Sequence, residues 1–235
     1  MGNKLETGDK LLDEALQLKK GQLTCVLGHP MTYKTALLVN TAARLLEMGK
    51  RVVFISFEES TDYVQRRIYE ALRREHIPLD QKAPNLPAVK LAVASIEAYD
   101  PDRLAKSVKF FKSQYPDLDL VIVDGLCTGK FTIDLKKDIG AVFNSAVLAA
   151  VRLSARSAKT DSSVLRRYGR LVTGADTVLV HPGYKKMDRP TWEILRGKSK
   201  GAHLGVNFQQ DGKRLVWAET TLVDRLGRPR RPQKH

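Results

Sequence analysis

Residues 23–35 read Leu23-Thr-Cys-Val-Leu-Gly28-His-Pro-Met-Thr-Tyr-Lys34-Thr35. The first six form a short apolar run closed by glycine, which suits a buried strand. Beyond Thr35, Leu38, Ala42 and Leu45 recur at helical spacing as far as Gly49. Gly28–Thr35 is therefore expected to turn a strand into a helix. It fits G-x-x-x-x-G-K-T except at Tyr33, where the pattern has glycine. Such a turn aims backbone N–H groups into a ring at a helix N-terminus, where they hold phosphate oxygens. The expected nucleotide contacts are Gly28, His29, Pro30, Met31, Thr32, Tyr33, Lys34 and Thr35. Lys34 would neutralise the β and γ phosphates, and the Thr35 hydroxyl would meet Mg²⁺. Glycine permits a backbone geometry and a close approach that a side chain resists. Tyr33 therefore puts the loop's conformation, affinity and turnover at issue. An ordinary strand-to-helix turn, or a loop that no longer hydrolyses, are the alternatives.

Working outward, Arg51–Phe57 reads as a second buried strand, and Val64, Ile68 and Leu72 mark a second helix. Val89–Ala94 reads as a strand. Asp100-Pro101 opens a helix, with Asp as N-cap and Pro in the first turn; Leu104, Val108 and Phe111 share its inner face. Leu118–Val123 is a strand closed by Asp124. Ala146–Leu153 is either a strand or a helix end, because its period does not separate them. Thr177–His181 is a strand, and Thr191–Leu195 with Leu215–Ala218 reads as a closing antiparallel pair. Apolar strands alternating with amphipathic helices give an α/β fold, a mostly parallel central sheet flanked by helices, here with a C-terminal antiparallel hairpin. Ligands bind such sheets at the carboxyl ends of the strands, where Glu58, Glu59 and Asp124 fall.

Those carboxylates suit phosphate chemistry. Asp124 follows the loop by about 90 residues and can hold Mg²⁺ with Thr35. Glu58 can orient or deprotonate an attacking water, and Glu59 beside it is a second carboxylate; adjacent like charges raise one pKa of such a pair. An acidic cap on the helix that follows is the structural alternative.

Composition limits the rest. The 235 residues suffice for one large domain, and 43% hydrophobic content predicts a globular fold. We assign residues 1–222 to that domain and 223–235 to a basic, disordered tail. No apolar run approaches the roughly 20 residues of a membrane helix, and no apolar signal-peptide core opens the chain. Cys25 and Cys127 read as free thiols of a reducing compartment, and His29, His181 and His203 as scattered polar residues rather than a metal set. The expected location is cytoplasmic, or the cytoplasm of an infected host. The net charge of +14 points to a polyanionic partner, nucleic acid ahead of membrane, with a solvated basic surface as the alternative.

Together these motifs resemble the ATPase domain of DnaB-type replicative helicases, within the RecA-like P-loop group that also holds KaiC-like and RadA-like proteins. Thr7-Gly8, Leu12-Asp13, Lys20-Gly-Gln-Leu-Thr24, Gly28-His-Pro30 and Lys34-Thr35 resemble the opening of that domain. Val53-Phe-Ile-Ser-Phe-Glu58-Glu59-Ser60 resembles the strand ending in the catalytic glutamate, and Leu120-Val-Ile-Val-Asp124 the Walker B strand. Gly174-Ala-Asp176 resembles the segment before a late core strand. Glu193-Ile-Leu-Arg-Gly-Lys198-Ser-Lys200-Gly201 resembles the K-x-R element, with lysine for arginine. The likeness spans roughly residues 7–219.

The resemblance implies ATP and Mg²⁺ as cofactors and a ring or filament with sites between subunits. Lys34 and Glu58 would be catalytic, and Lys198 and Lys200 would reach a neighbour's γ-phosphate; a plain basic hairpin is the alternative. Where relatives have a glutamine sensor, Arg152 is the nearest polar residue. Single-stranded DNA would meet Lys130, Lys136, Lys137, Arg156, Lys159, Arg166 and Arg167 through its backbone. Relatives carry an N-terminal domain that contacts primase, whereas this chain starts almost at the core. The resemblance is compatible with a minimal helicase, a recombinase-like or regulatory relative, or a form dependent on a replication-protein partner; no membrane association is expected. The leading expectation is an oligomeric Mg·ATP-dependent ATPase acting on single-stranded DNA, replicative-helicase-like. The alternatives are a catalytically weak or inactive RecA-like module that binds DNA or a partner protein in replication or recombination, and a KaiC-like regulatory ATPase.

Overall fold

The computed structural model describes residues 4–73, 91–96, 101–127, 134–141, 143–153, 172, 174–181, 191–197, 200, 202–211 and 214–222. The elements in chain order are α1 (Lys10–Leu16), β1 (Leu23–Gly28), α2 (Lys34–Glu47), β2 (Val52–Ser56), α3 (Thr61–Arg73), β3 (Leu91–Ser95) and α4 (Pro101–Gln114). Then follow β4 (Leu120–Cys127), a π-helical segment (Leu135–Ala141), β5 (Ala146–Arg152), β6 (Thr177–Val180), β7 (Thr191–Arg196), β8 (His203–Asp211) and β9 (Arg214–Leu222). Among the described residues, nine strands form one sheet in the order β3-β2-β4-β5-β1-β6-β7-β8-β9. Its first six are parallel and the last three antiparallel. This is the α/β, RecA-like arrangement the sequence predicts.

Alternation along each strand divides the core into two layers. Leu23, Cys25 and Leu27 of β1 join Val53, Ile55, Val121 and Val123 on the face covered by α4 and the π-helical segment. Val26, Phe54, Ile122 and Leu148 point the other way, onto α1, α2 and α3. Burial on both faces is why these strands read as continuous apolar runs rather than alternating ones.

Some expectations change. Ala146–Leu153 resolves as strand β5, set between β4 and β1. Segments 191–195 and 215–218 are not paired with each other: β7 pairs with β6 and β8, and the hairpin is β8–β9. Val206 within β8 is fully buried, but Asn207 and two glutamines that follow broke its apolar pattern. The strand expected to end before Asp124 continues through it to Cys127, with a register shift between Val123 and Leu126. A bulge of this kind re-aims a side chain without ending the strand. Short helix α1 escaped the periodicity reading; Asp9 caps it, its side chain accepting the Leu12 N–H at 3.0 Å. Residues 89–90, Asp100 and the tail 223–235 lie outside the described residues. Among those described, no helix is long and apolar enough to cross a membrane.

Candidate functional site

Strand register assembles the site. Parallel pairing sets Gly28 of β1 against Arg152 of β5, Cys127 of β4 against the same Arg152, and Ser56 of β2 against Asp124. Four strand ends thus meet at one edge, and α2 starts there with Tyr33 as its N-cap residue. Residues 30–36 line a cleft of about 310 Å³ with Glu58, Arg67 and Arg152.

The loop keeps the glycine conformation without the glycine. Tyr33 sits at φ 60° and Met31 at φ 61°, both left-handed, a backbone state costing roughly 1–2 kcal/mol in a residue with a Cβ. Met31 is 96% exposed. Gly28 is needed for space: a Cβ there would strike Thr32 Oγ1 and lie 3.2 Å from the His181 Cβ. The Lys34 ammonium donates to the His29 carbonyl at 2.7 Å and to Thr32 Oγ1 at 3.3 Å. Burial lowers the Lys34 pKa, and the Asp124 and Glu58 carboxylates oppose that shift. The ammonium thus spans the mouth of its own loop.

Asp124 is buried, accepts a hydrogen bond from the Thr35 hydroxyl, and leaves Oδ2 without a hydrogen-bond partner. Burial raises its pKa to about 6, against the pull of Thr35 and Lys34. A buried carboxylate oxygen without a donor, beside a threonine hydroxyl, is the donor set for a hard divalent cation. Among the described residues no cluster of three or more His, Cys, Asp or Glu could hold a metal. Mg²⁺ takes one or two protein oxygens and fills its shell with water and phosphate.

Glu58 and Glu59 are presented by a turn that Ser56 organises. The buried Ser56 Oγ accepts the Glu59 N–H at 2.9 Å and the Glu58 N–H at 3.4 Å. Gly125, at φ +82°, backs this turn; a Cβ there would lie 2.7 Å from the Glu58 Cγ. Burial raises the Glu59 pKa, Arg67 opposes the shift, and the neighbouring Glu58 charge adds to it. The exposed Glu58 instead meets Arg152, whose Nη1 lies 3.3 Å from its Oε1. Arg152 therefore belongs to the site, directly beside the glutamate.

Two residues here escaped the sequence reading. His181, passed over as scattered, follows β6, donates its N–H to the Leu27 carbonyl at 2.8 Å and packs edge-on against Trp192 at 5.8 Å. Burial, then Lys34, lowers its pKa to about 4, so it is a neutral wall behind the loop. Arg67 enters the cleft from α3 and lies over the Tyr63 ring at 5.7 Å. A charge on a surface helix carries no sequence signal of which way it leans.

Other expected residues lie elsewhere. Lys200 is exposed in the turn after β7. Arg196 pairs with Val178, and Gly197 packs on Thr177, so this turn sits at the start of β6, the end opposite the cleft. Lys200 does not face its own chain's loop. Lys136 is at that same end, bound to Asp176 Oδ1 at 2.8 Å; Lys137 is exposed, its N–H donated to Asp134 Oδ1 at 3.0 Å. Lys198, Lys130, Arg156, Lys159, Arg166 and Arg167 lie outside the described residues.

No curated protein matches the chain. A solved structure of a DnaB-like replicative helicase, described with its interactions with primase, is similar with a TM-score of 0.65 at 14% identity. The match covers 90% of this chain and 62% of that one, so the chain spans less than two thirds of that helicase. At this identity the likeness establishes the fold. The model of the AAA domain matches residues 8–160, a stretch that runs from before α1 past β5 and carries the phosphate loop, both glutamates, Asp124 and Arg152, and the chain belongs to the AAA domain family.

Proposed function

We propose that the chain is an Mg·ATP-dependent ATPase of the DnaB/RecA-like class that acts on single-stranded DNA as part of an oligomer. The observation carrying the nucleotide reading is the buried, unpartnered Asp124 Oδ2 beside Thr35 and Lys34. Such an orphan is costly to a fold unless a ligand completes it. Loop N–H groups from residues 28–35 would cradle the phosphates, and Lys34 would exchange its His29 carbonyl for phosphate oxygens. Asp124 and Thr35 would hold Mg²⁺. Bound there, the ion neutralises phosphate charge. Glu58, which lines the cleft, would orient a water and take its proton.

The reading of single-stranded DNA rests on the +14 charge and on what the family resemblance implies. Oligomerisation rests on what the family resemblance implies; Lys200, at the end of the sheet opposite the cleft, would then reach a neighbour's phosphate rather than its own. The test is titration of wild type and Lys34→Ala with Mg·ATP, with and without single-stranded DNA. Wild type should bind and hydrolyse, faster with DNA, and the variant should lose at least about a hundredfold in affinity or turnover. Absence of nucleotide binding by wild type would sink the proposal.

A second reading, a catalytically weak or inactive RecA-like module that binds DNA or a partner protein, is favoured by one observation. The Tyr33 side chain stands in the loop where the pattern has glycine. Absent or weak Mg·ATP binding by wild type would select it.

A further inference from the structure

Helix α4 carries cations at every third position, Arg103, Lys106, Lys109 and Lys112, against a single carboxylate, Asp102. Leu104, Val108 and Phe111 turn to the core, while Arg103, Lys106, Lys109 and Phe110 are exposed. Lys112 serves the fold, donating to the Pro116 carbonyl at 3.1 Å just past the helix end. Lys109 is differently placed. Its helical neighbours at three positions either way are Lys106 and Lys112, and at four they are Ala105 and Ser113. Like charges at that spacing destabilise a helix, and a polyanion laid along them removes the repulsion. Among the described residues Phe110 is the one exposed phenylalanine, at 59%. It stands one turn beyond Lys106 and is propped edge-on by buried Phe111, with ring centroids 5.6 Å apart. Single strands use this pairing: cations follow the backbone and an aromatic ring stacks on an unpaired base. A duplex keeps its bases stacked and would leave Phe110 in water. A membrane surface needs a wider apolar face than Ala105 and Phe110 supply.

We propose that the outer face of α4 is a contact surface for single-stranded nucleic acid, with Arg103, Lys106 and Lys109 on its phosphates and Phe110 stacked on a base. The proposal rests on the single-strand reading above and adds where on the molecule a strand lies. α4 covers the sheet face opposite α2, whose N-terminus carries the phosphate loop, so this surface is separate from the cleft. Its cations rise along the helix by about 4.5 Å per step. The contact is therefore short, tolerant of sequence and sensitive to salt.

Fluorescence anisotropy with a labelled oligothymidylate, over a salt series, tests this. Wild type should bind, more weakly as salt rises. The double variant Lys106→Gln, Lys109→Gln should bind about tenfold more weakly and flatten the salt slope by about 1.4, two phosphate contacts on a single strand. Phe110→Ala should also lose about tenfold, with the slope unchanged, and Phe110→Trp should restore the loss. Lys10→Gln with Lys50→Gln, the same charge change beside α1 and α2, should alter binding less than about twofold. Every α4 side chain substituted is exposed, so thermal melts should match wild type and confirm that the variants fold. Oligothymidylate binding that the α4 variants leave intact would overturn this surface and leave the single-strand reading standing. If wild type does not bind oligothymidylate, that reading fails and takes the surface with it. If Phe110→Ala is silent and the lysine variant weakens binding to duplex DNA and to phosphatidylserine vesicles equally, α4 is an unselective basic face and the assignment is overturned.

Discussion

The two ends of the parallel sheet use their aspartates in opposite ways. At the amino end, Asp119 Oδ2 accepts the Arg51 N–H at 2.8 Å, and Asp176 Oδ2 accepts the Leu23 N–H at 2.9 Å. Asp176 Oδ1 also holds Lys136 at 2.8 Å. These carboxylates tie down backbone where strands begin. At the carboxyl end, Asp124 is more deeply buried than either, yet Oδ2 has no partner. One end stabilises the fold with its carboxylates; the other keeps a carboxylate at the fold's expense. The contrast separates aspartates that tie down backbone from the one that keeps a buried oxygen unpaired, without reference to motif.

Substitutions at the two ends should therefore act with opposite sign. The largest effect is expected from Asp124→Asn. Its raised pKa, about 6 against an ordinary 3.8, means the folded state resists ionisation. The associated penalty is absent below pH 4, grows between pH 4 and 6, and is complete above. It amounts to something on the order of 3 kcal/mol at neutral pH. Thermal melts of nucleotide-free protein should show Asp124→Asn stabilised near pH 7 and matching wild type near pH 4, while Mg·nucleotide binding collapses. His181 works the other way: with a folded value near 4 against 6.5, it withdraws stability as pH falls from 6.5 to 4, in wild type and variant alike. A destabilised Asp124→Asn protein at pH 7 would break the contrast.

Next in size are Asp176→Ala and Asp119→Ala, each leaving a strand-start N–H without its acceptor. Losses of about 1–3 kcal/mol in denaturant unfolding are expected, with nucleotide affinity unchanged. An affinity loss matching that of Asp124→Asn would erase the distinction between the ends. The smallest effect belongs to Tyr33→Gly. Relief of the left-handed backbone should raise stability by about 1 kcal/mol or less, since glycine also loosens the unfolded chain. Nucleotide affinity should rise if the ring crowds the phosphates and stay level if it swings aside; calorimetry measures either. A loss of stability would mean that contacts of the Tyr33 ring outweigh its backbone strain.

By itself the sequence determined most of the strands and helices, though not α1 or β8, and the loop between β1 and α2. Apolar runs buried on both faces are a local signal, and so are Gly28, Lys34 and Thr35 at fixed spacing. Asp124 was legible as a residue at a strand tip, although the strand runs on past it, because the register shift between Val123 and Leu126 leaves no trace in hydrophobic pattern. Tyr33 showed where the loop departs from its pattern; only the backbone showed that the glycine conformation survives. The long-range contacts were decided by tertiary structure. Arg152 meets Glu58 across 94 positions, His181 reaches Gly28 from the end of β6, and Arg67 enters from α3. Such pairings depend on strand order and register, which a charge or an imidazole does not encode locally. The sequence placed a phosphate loop, and the register of β1, β2, β4 and β5 set carboxylates and an arginine around it.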